Sequence, residues 1–207
     1  MRRALAVVLL AVACSCSSSV PPAEPFLADS PTLPAVADED GVRAMVDTVR
    51  RDHFPDLAGV TVVVRGFDSE TDFFTADVVV ETVSKPPRER IYRVNANRAL
   101  YGGGLGNRAV YAILTHELKH VRDYLAMDEK ALVSFAVNYV LVPQAAYERS
   151  TDLFALERGV GRGLRDFRRW LYDHVDDETR EAKRRDYFTP EEIERWLRDH
   201  PSDDRLP

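Results

Sequence analysis

Only two cysteines occur in the 207 residues, Cys14 and Cys16, both close to the N-terminus, so no disulfide can staple the body of the chain. Long apolar runs are equally scarce. The one uninterrupted stretch, residues 4–13, is about half of what a bilayer-spanning helix needs, and this excludes a polytopic membrane protein. A basic excess is missing too: 28 Lys and Arg stand against 34 Asp and Glu, for a formal net charge of −6. A phosphate-binding surface needs the opposite balance, so no nucleic-acid partner is expected. Glycine is sparse and without period, which rules out a collagen-like chain. With 45% apolar and 30% charged residues, the chain is also too rich in core formers to be wholly disordered. One compact domain held by a hydrophobic core is the expectation.

The N-terminus reads separately from that domain. Arg2 and Arg3 precede the apolar run of residues 4–13, which has the length of a signal-peptide core. The run ends Leu10-Ala11-Val12-Ala13-Cys14, which resembles a bacterial lipobox, although Ala11 departs from the usual Leu three positions ahead of the cysteine. The resemblance implies cleavage after residue 13 and lipidation of Cys14; a shift to Cys16 or ordinary signal-peptidase cleavage stays open. Ser15, where an inner-membrane sorting signal has Asp, implies the outer membrane by the same resemblance. A serine cluster and Pro21, Pro22, Pro25, Pro31 and Pro34 follow, so residues 14–37 read as an extended tether. The organisation expected is a signal peptide at 1–13, a lipidated tether at 14–37 and a single domain at 38–207. The protein would be exported and would touch the membrane through its lipid anchor only; without lipidation it would be periplasmic or secreted. Oligomeric state has no signal.

Within the body, Val42, Met45, Val46 and Val49 recur at helical spacing over 38–52, and Pro55 stops that helix. Residues 59–67, 73–83 and 90–95 are rich in Val, Ile, Tyr and Thr and bounded by turn residues, which predicts a small three-stranded sheet, antiparallel or mixed. Residues 101–107 (YGGGLGN) form a glycine-rich loop with neither a P-loop lysine nor a complete dinucleotide fingerprint. From there the chain is mainly helical. Asn107 is expected to cap a helix over 108–127 striped by Leu114, Leu118, Val121 and Leu125. Helices follow over 131–142, over 144–157 with a stop near Gly159 and Gly161, and over the charged amphipathic stretch 164–183. Arg162, Arg165, Arg168 and Arg169 read as a solvated face, and Phe167, Trp170, Leu171 and Trp196 as core cover. Thr189-Pro190-Glu191-Glu192 carries the signature of a capping box. The fold class is therefore α+β.

The chemistry sits in His116-Glu117-Leu118-Lys119-His120 on the first long helix. Residues four apart differ by about 40° around a helix and about 6 Å along it, so both imidazoles can converge on one ion. Zinc, one per chain, suits such nitrogen donors and keeps a position for water in catalytic sites. Glu117, one position off the ligand face, can reach that water as a general base.

Downstream, Glu148 and Asp152 lie at i and i+4 on one helix. HExxH completed by ExxxD resembles the gluzincin branch of the zincin metallopeptidases. The resemblance implies a zincin-like α+β fold, with the sheet preceding the active-site helix and its edge strand able to align an extended substrate. It implies His116, His120 and Glu148 as zinc ligands, Glu117 as catalytic base, Asp152 as the carboxylate that orients a ligand histidine, and a protein or peptide substrate. The metzincin extension is rejected, since positions 123 and 126 hold Asp and Ala. Asp123, seven residues from His116, reads either as a further partner behind a ligand or as a surface ion pair. His53 and His174 are alternative third nitrogens. Tyr101, Tyr139, Tyr147 and His174 are open candidates for stabilising an oxyanion. The alternative function is a non-catalytic zincin-fold envelope lipoprotein acting as a binding or assembly module.

Overall fold

The computed structural model describes residues 29–101, 104–141 and 143–201; the expected signal peptide and Cys14 lie outside them. The architecture is α+β. Helix α1 spans Glu39–His53, capped by the Asp38 side chain on Gly41 N, and buries Val42, Met45, Val46 and Val49. Three strands follow: β1 (Thr61–Phe67), β2 (Phe74–Val78) and β3 (Ile91–Asn97). Six more helices complete the described chain: α2 (Asn107–Leu125), α3 (Glu129–Leu141), α4 (Ala145–Glu157), α5 (Gly161–His174), α6 (Asp177–Asp186) and α7 (Pro190–Asp199).

The sheet is mixed, in the order β1-β3-β2. β3 pairs in parallel with β1, Val64 facing Val94, and antiparallel with β2, Ala76 facing Val94 on the other side. A wholly antiparallel sheet is thereby corrected to the mixed alternative. The second strand is also shorter than the run at 73–83, because the last ladder bond is Val79 N to Ile91 O and Val80–Thr82 then turns in a 3₁₀ bend. Tyr92, Val94 and Ala96 of the central strand are fully buried.

Helix α2 is the axle of the fold. α1, α4, α5 and β2 pack around it, so that nearly every residue from Asn107 to Val121 is buried, well beyond one apolar stripe. Its close approach to α5 depends on Gly163, where a Cβ would stand 2.4 Å from Arg108 O and 2.8 Å from Ala112 Cβ. Gly161 does not end a helix but opens α5.

Three expectations are corrected by packing. Asn107 does not cap α2; Gly106 holds that position, and the Asn107 side chain accepts from Ser30 N at 2.7 Å and donates to Ser30 O at 2.9 Å. With Leu33 in the core and Asp29 accepting from Asn107 N, residues 29–37 belong to the packed body and not to an extended tether. The helix expected over 164–183 is two helices, broken at Val175, whose extended backbone leads into Asp176 as the cap of α6. The capping box at Thr189 and Glu192 forms as expected.

Candidate metal centre

His116 and His120 project from the same face of α2, and Glu148 faces them from α4. His116 Nε2 lies 3.1 Å from Glu148 Oε2 and 3.1 Å from His120 Nε2, and His120 Nε2 lies 3.4 Å from Glu148 Oε2. Donors about 2.0–2.1 Å from one zinc at tetrahedral angles stand roughly 3.3 Å apart, so this spacing fits a single ion. All three residues are buried, and together they could bind a metal ion.

Each donor has one fixed partner behind it. His116 Nδ1 is 2.8 Å from Asp152 Oδ1. Asp152 also accepts from Arg168 at 2.9 Å and from Phe188 N at 2.9 Å, which ties α2, α4, α5 and the approach to α7 to one carboxylate. His120 Nδ1 meets Tyr147 OH at 2.9 Å, and Tyr147 donates to Asp123 at 3.1 Å. Glu148 Oε1 accepts from Tyr139 of α3.

These partners assign the tautomers. A carboxylate only accepts, so His116 carries its proton on Nδ1; Tyr147 spends its proton on Asp123, so it accepts from His120 Nδ1. Both Nε2 lone pairs then face each other and a carboxylate oxygen. Three acceptors at this spacing in a buried site require positive charge between them. A proton can serve: burial disfavours the His116 imidazolium, but hydrogen bonds to Asp152 and Glu148 outweigh it and raise the pKa to about 9. Burial likewise opposes the Glu148 carboxylate, yet hydrogen bonds from His116 and His120 hold its pKa far below the ordinary range. A divalent cation meets the same demand at all three donors at once.

Glu117 follows His116 on α2 and is buried as well. It has no hydrogen-bond partner among the described residues and lines a cavity of ≈ 30 Å³ with His116, Arg168, Tyr187, Phe73 and Lys183. Burial pushes its carboxyl pKa up, partly offset by the two histidines.

The candidates named from sequence therefore divide. His116, His120 and Glu148 converge, Glu117 stands beside them and Asp152 holds His116. Asp123 combines both of its readings: it pairs with Lys119 and anchors Tyr147 behind His120. His53 is elsewhere, on Tyr111 OH at 2.9 Å, and His174 bonds Trp170 O at 2.7 Å. Arg168 is corrected from a solvated residue to one 2% exposed, at the centre of the support for His116. Its position between Leu164 and Leu171 on the apolar stripe of α5 was the available signal. Tyr187 has no such signal, since it lies in the turn between α6 and α7.

Compared with protein-family models, curated proteins and solved structures, the chain gives no match. The chemistry of the site is thus the guide to function.

Proposed function

We propose that the protein is a zinc-dependent peptidase that hydrolyses peptide bonds in the bacterial cell envelope, of the gluzincin type that HExxH and ExxxD resemble. The observation that carries this reading is the convergence of three donors from His116, His120 and Glu148 at 3.1–3.4 Å, with Glu117 lining a cavity beside His116. A bound zinc ion supplies Lewis acidity toward a carbonyl oxygen and makes water a better nucleophile near neutral pH. Glu117 takes the proton of the attacking water and delivers it to the departing amine. Asp152 and Tyr147 keep the two imidazoles in their ligating tautomers. β2 is an edge strand packed on α2, which supports backbone pairing with an extended peptide substrate. The lipidated N-terminus would confine this activity to a membrane surface. Among the described residues no helix is long and apolar enough to cross a membrane.

The deep burial of the ligands favours a second reading, a metal-stabilised envelope module without turnover. The two separate on one comparison. Purified wild-type protein and Glu117→Gln are loaded with zinc and offered a degenerate fluorogenic peptide library. Cleavage by wild type, lost in Glu117→Gln at unchanged metal content, supports the peptidase; equal metal content with no cleavage by either supports the module.

A further inference from the structure

Side chains alternate across the sheet. Val64, Val94 and Ala96 turn into the core, so Arg65, Arg93 and Asn95 turn the other way. Strand register sets these outward groups in two neighbouring rows, Arg65 beside Asn95 beside Thr75, and Arg93 beside Asp77. With Phe67, Asp68 and Arg98, which follows β3, they line a cavity of ≈ 440 Å³ on the face away from the core. That volume falls in the range of small-molecule sites.

Two of the three guanidinium groups in this cavity are committed. Arg93 donates to Asp77 at 3.0 Å, and Arg98 donates to Asp68 at 2.7 Å and to Gly66 O at 2.9 Å. Arg65 has no hydrogen-bond or ion-pair partner among the described residues. Three arginines against two aspartates thus leave one positive charge in the cavity, within a chain of net charge −6. Asn95, 9% exposed, spends its amide nitrogen on Thr75 Oγ1 at 3.0 Å and Asp77 Oδ2 at 2.8 Å. Its Oδ1 has no partner among the described residues and serves only as an acceptor. A ligand that matches carries one negative charge, an N–H close to it and an apolar group for the half-buried Phe67. A phosphate dianion matches poorly, because its second charge meets Asp68 and Asp77 with no free cation. A carboxylate next to an amide N–H matches well, and the guanidinium fork accepts a carboxylate through two parallel bonds.

We propose that this cavity is a binding site for the C-terminal residue of a peptide. The Arg65 guanidinium takes the α-carboxylate, Asn95 Oδ1 accepts from the amide N–H of the same residue, and an apolar side chain lies against Phe67. None of these residues belongs to the candidate metal centre, and no covalent step takes place here. The site therefore goes beyond the peptidase reading and does not depend on a bound metal.

The test titrates the full chain, as wild type, Arg65→Gln and Arg65→Lys, with N-acetylphenylalanine, its uncharged C-terminal amide and inorganic phosphate, read by backbone amide NMR shifts. Arg65 has no partner to lose, so Gln at that position leaves the free spectrum close to wild type away from residue 65. N-acetylphenylalanine shifts the amides of Arg65, Thr75 and Asn95 with a Kd of about 1 mM, the range for a ligand of this size. The C-terminal amide and phosphate bind at least about 10-fold more weakly, and Arg65→Gln binds N-acetylphenylalanine at least about 10-fold more weakly than wild type. Arg65→Lys, which keeps the charge without the fork, recovers part of that loss. Equal affinity for the acid and its amide, equal or tighter binding of phosphate, wild-type affinity in Arg65→Gln, or no shift at these three amides each overturns the proposal. The readout needs neither zinc nor turnover: a protein that binds the acid in this way but cleaves no peptide keeps the site and loses the peptidase reading, and an active peptidase that does not bind it loses the site alone.

Discussion

His116 Nδ1 and Asp152 Oδ1 stand 2.8 Å apart with both side chains buried, and this contact fixes which nitrogen of His116 is free to bind a cation. The same carboxylate neutralises Arg168, itself buried, at 2.9 Å. Removing it therefore has two separable effects.

Asp152→Ala leaves the Arg168 guanidinium buried without its carboxylate, and unfolding free energy should fall by about 3–5 kcal/mol in urea denaturation. Asp152→Asn still accepts from His116 through its amide oxygen but loses the charge. It should fold, while zinc affinity measured by competition with a chelating dye drops about 10- to 100-fold.

Gly163 sets how closely α5 approaches the helix that carries both histidines. A methyl there would lie 2.4 Å from Arg108 O, a backbone atom that cannot step aside. Gly163→Ala should cost about 1–3 kcal/mol by thermal denaturation, despite the better helix propensity of alanine. A neutral or stabilising result would show that the two helices separate at little cost.

How much of this was legible beforehand depends on what each residue had to reveal. Asp38, the Thr189–Glu192 box and the apolar spacing of α1 and α2 are local signals, and the helices they mark are present. The His116–Glu117–His120 spacing is local as well. Strand direction is not local: Val64 and Val94 alternate correctly in either orientation, and only the chain path makes β1 and β3 parallel. Asn107 looked like a cap because its partner, Ser30, is distant in sequence. Arg168 escaped for the same reason, since its burial follows from its pairing with Asp152.

Tyr139 makes the polar contact of α3 with the candidate metal centre, while Phe135 packs against Tyr124 and Tyr147 and Tyr139 meets Tyr147 edge to face. Along the outer side of that helix Val133, Val137 and Leu141 are exposed. Tyr139→Phe keeps the ring packing and removes the bond to Glu148. Amide hydrogen exchange should accelerate across α3 and stay unchanged in α2, with zinc affinity reduced about 10-fold. Uniform exchange in both proteins would mean that α3 is held by its aromatic contacts alone.

Burial lowers the His53 pKa, with Asp52 acting in the opposite direction. A histidine with a depressed folded pKa contributes stability above its unfolded value of about 6.5, and that contribution is lost as pH falls through the folded pKa. Wild-type protein should therefore lose more stability than His53→Gln between about pH 7.5 and pH 5.5 in parallel urea titrations. The same difference at both pH values would place the His53–Tyr111 contact outside the acid response.

The most direct measurement is the metal content of the purified full chain by inductively coupled plasma mass spectrometry, as wild type, Glu117→Gln and Glu148→Ala. About one zinc per chain is expected in the first two and less than about a tenth of that in Glu148→Ala, because three donors define the site and Glu117 is not among them. No bound divalent metal in wild type, or equal metal in wild type and Glu148→Ala, would contradict it.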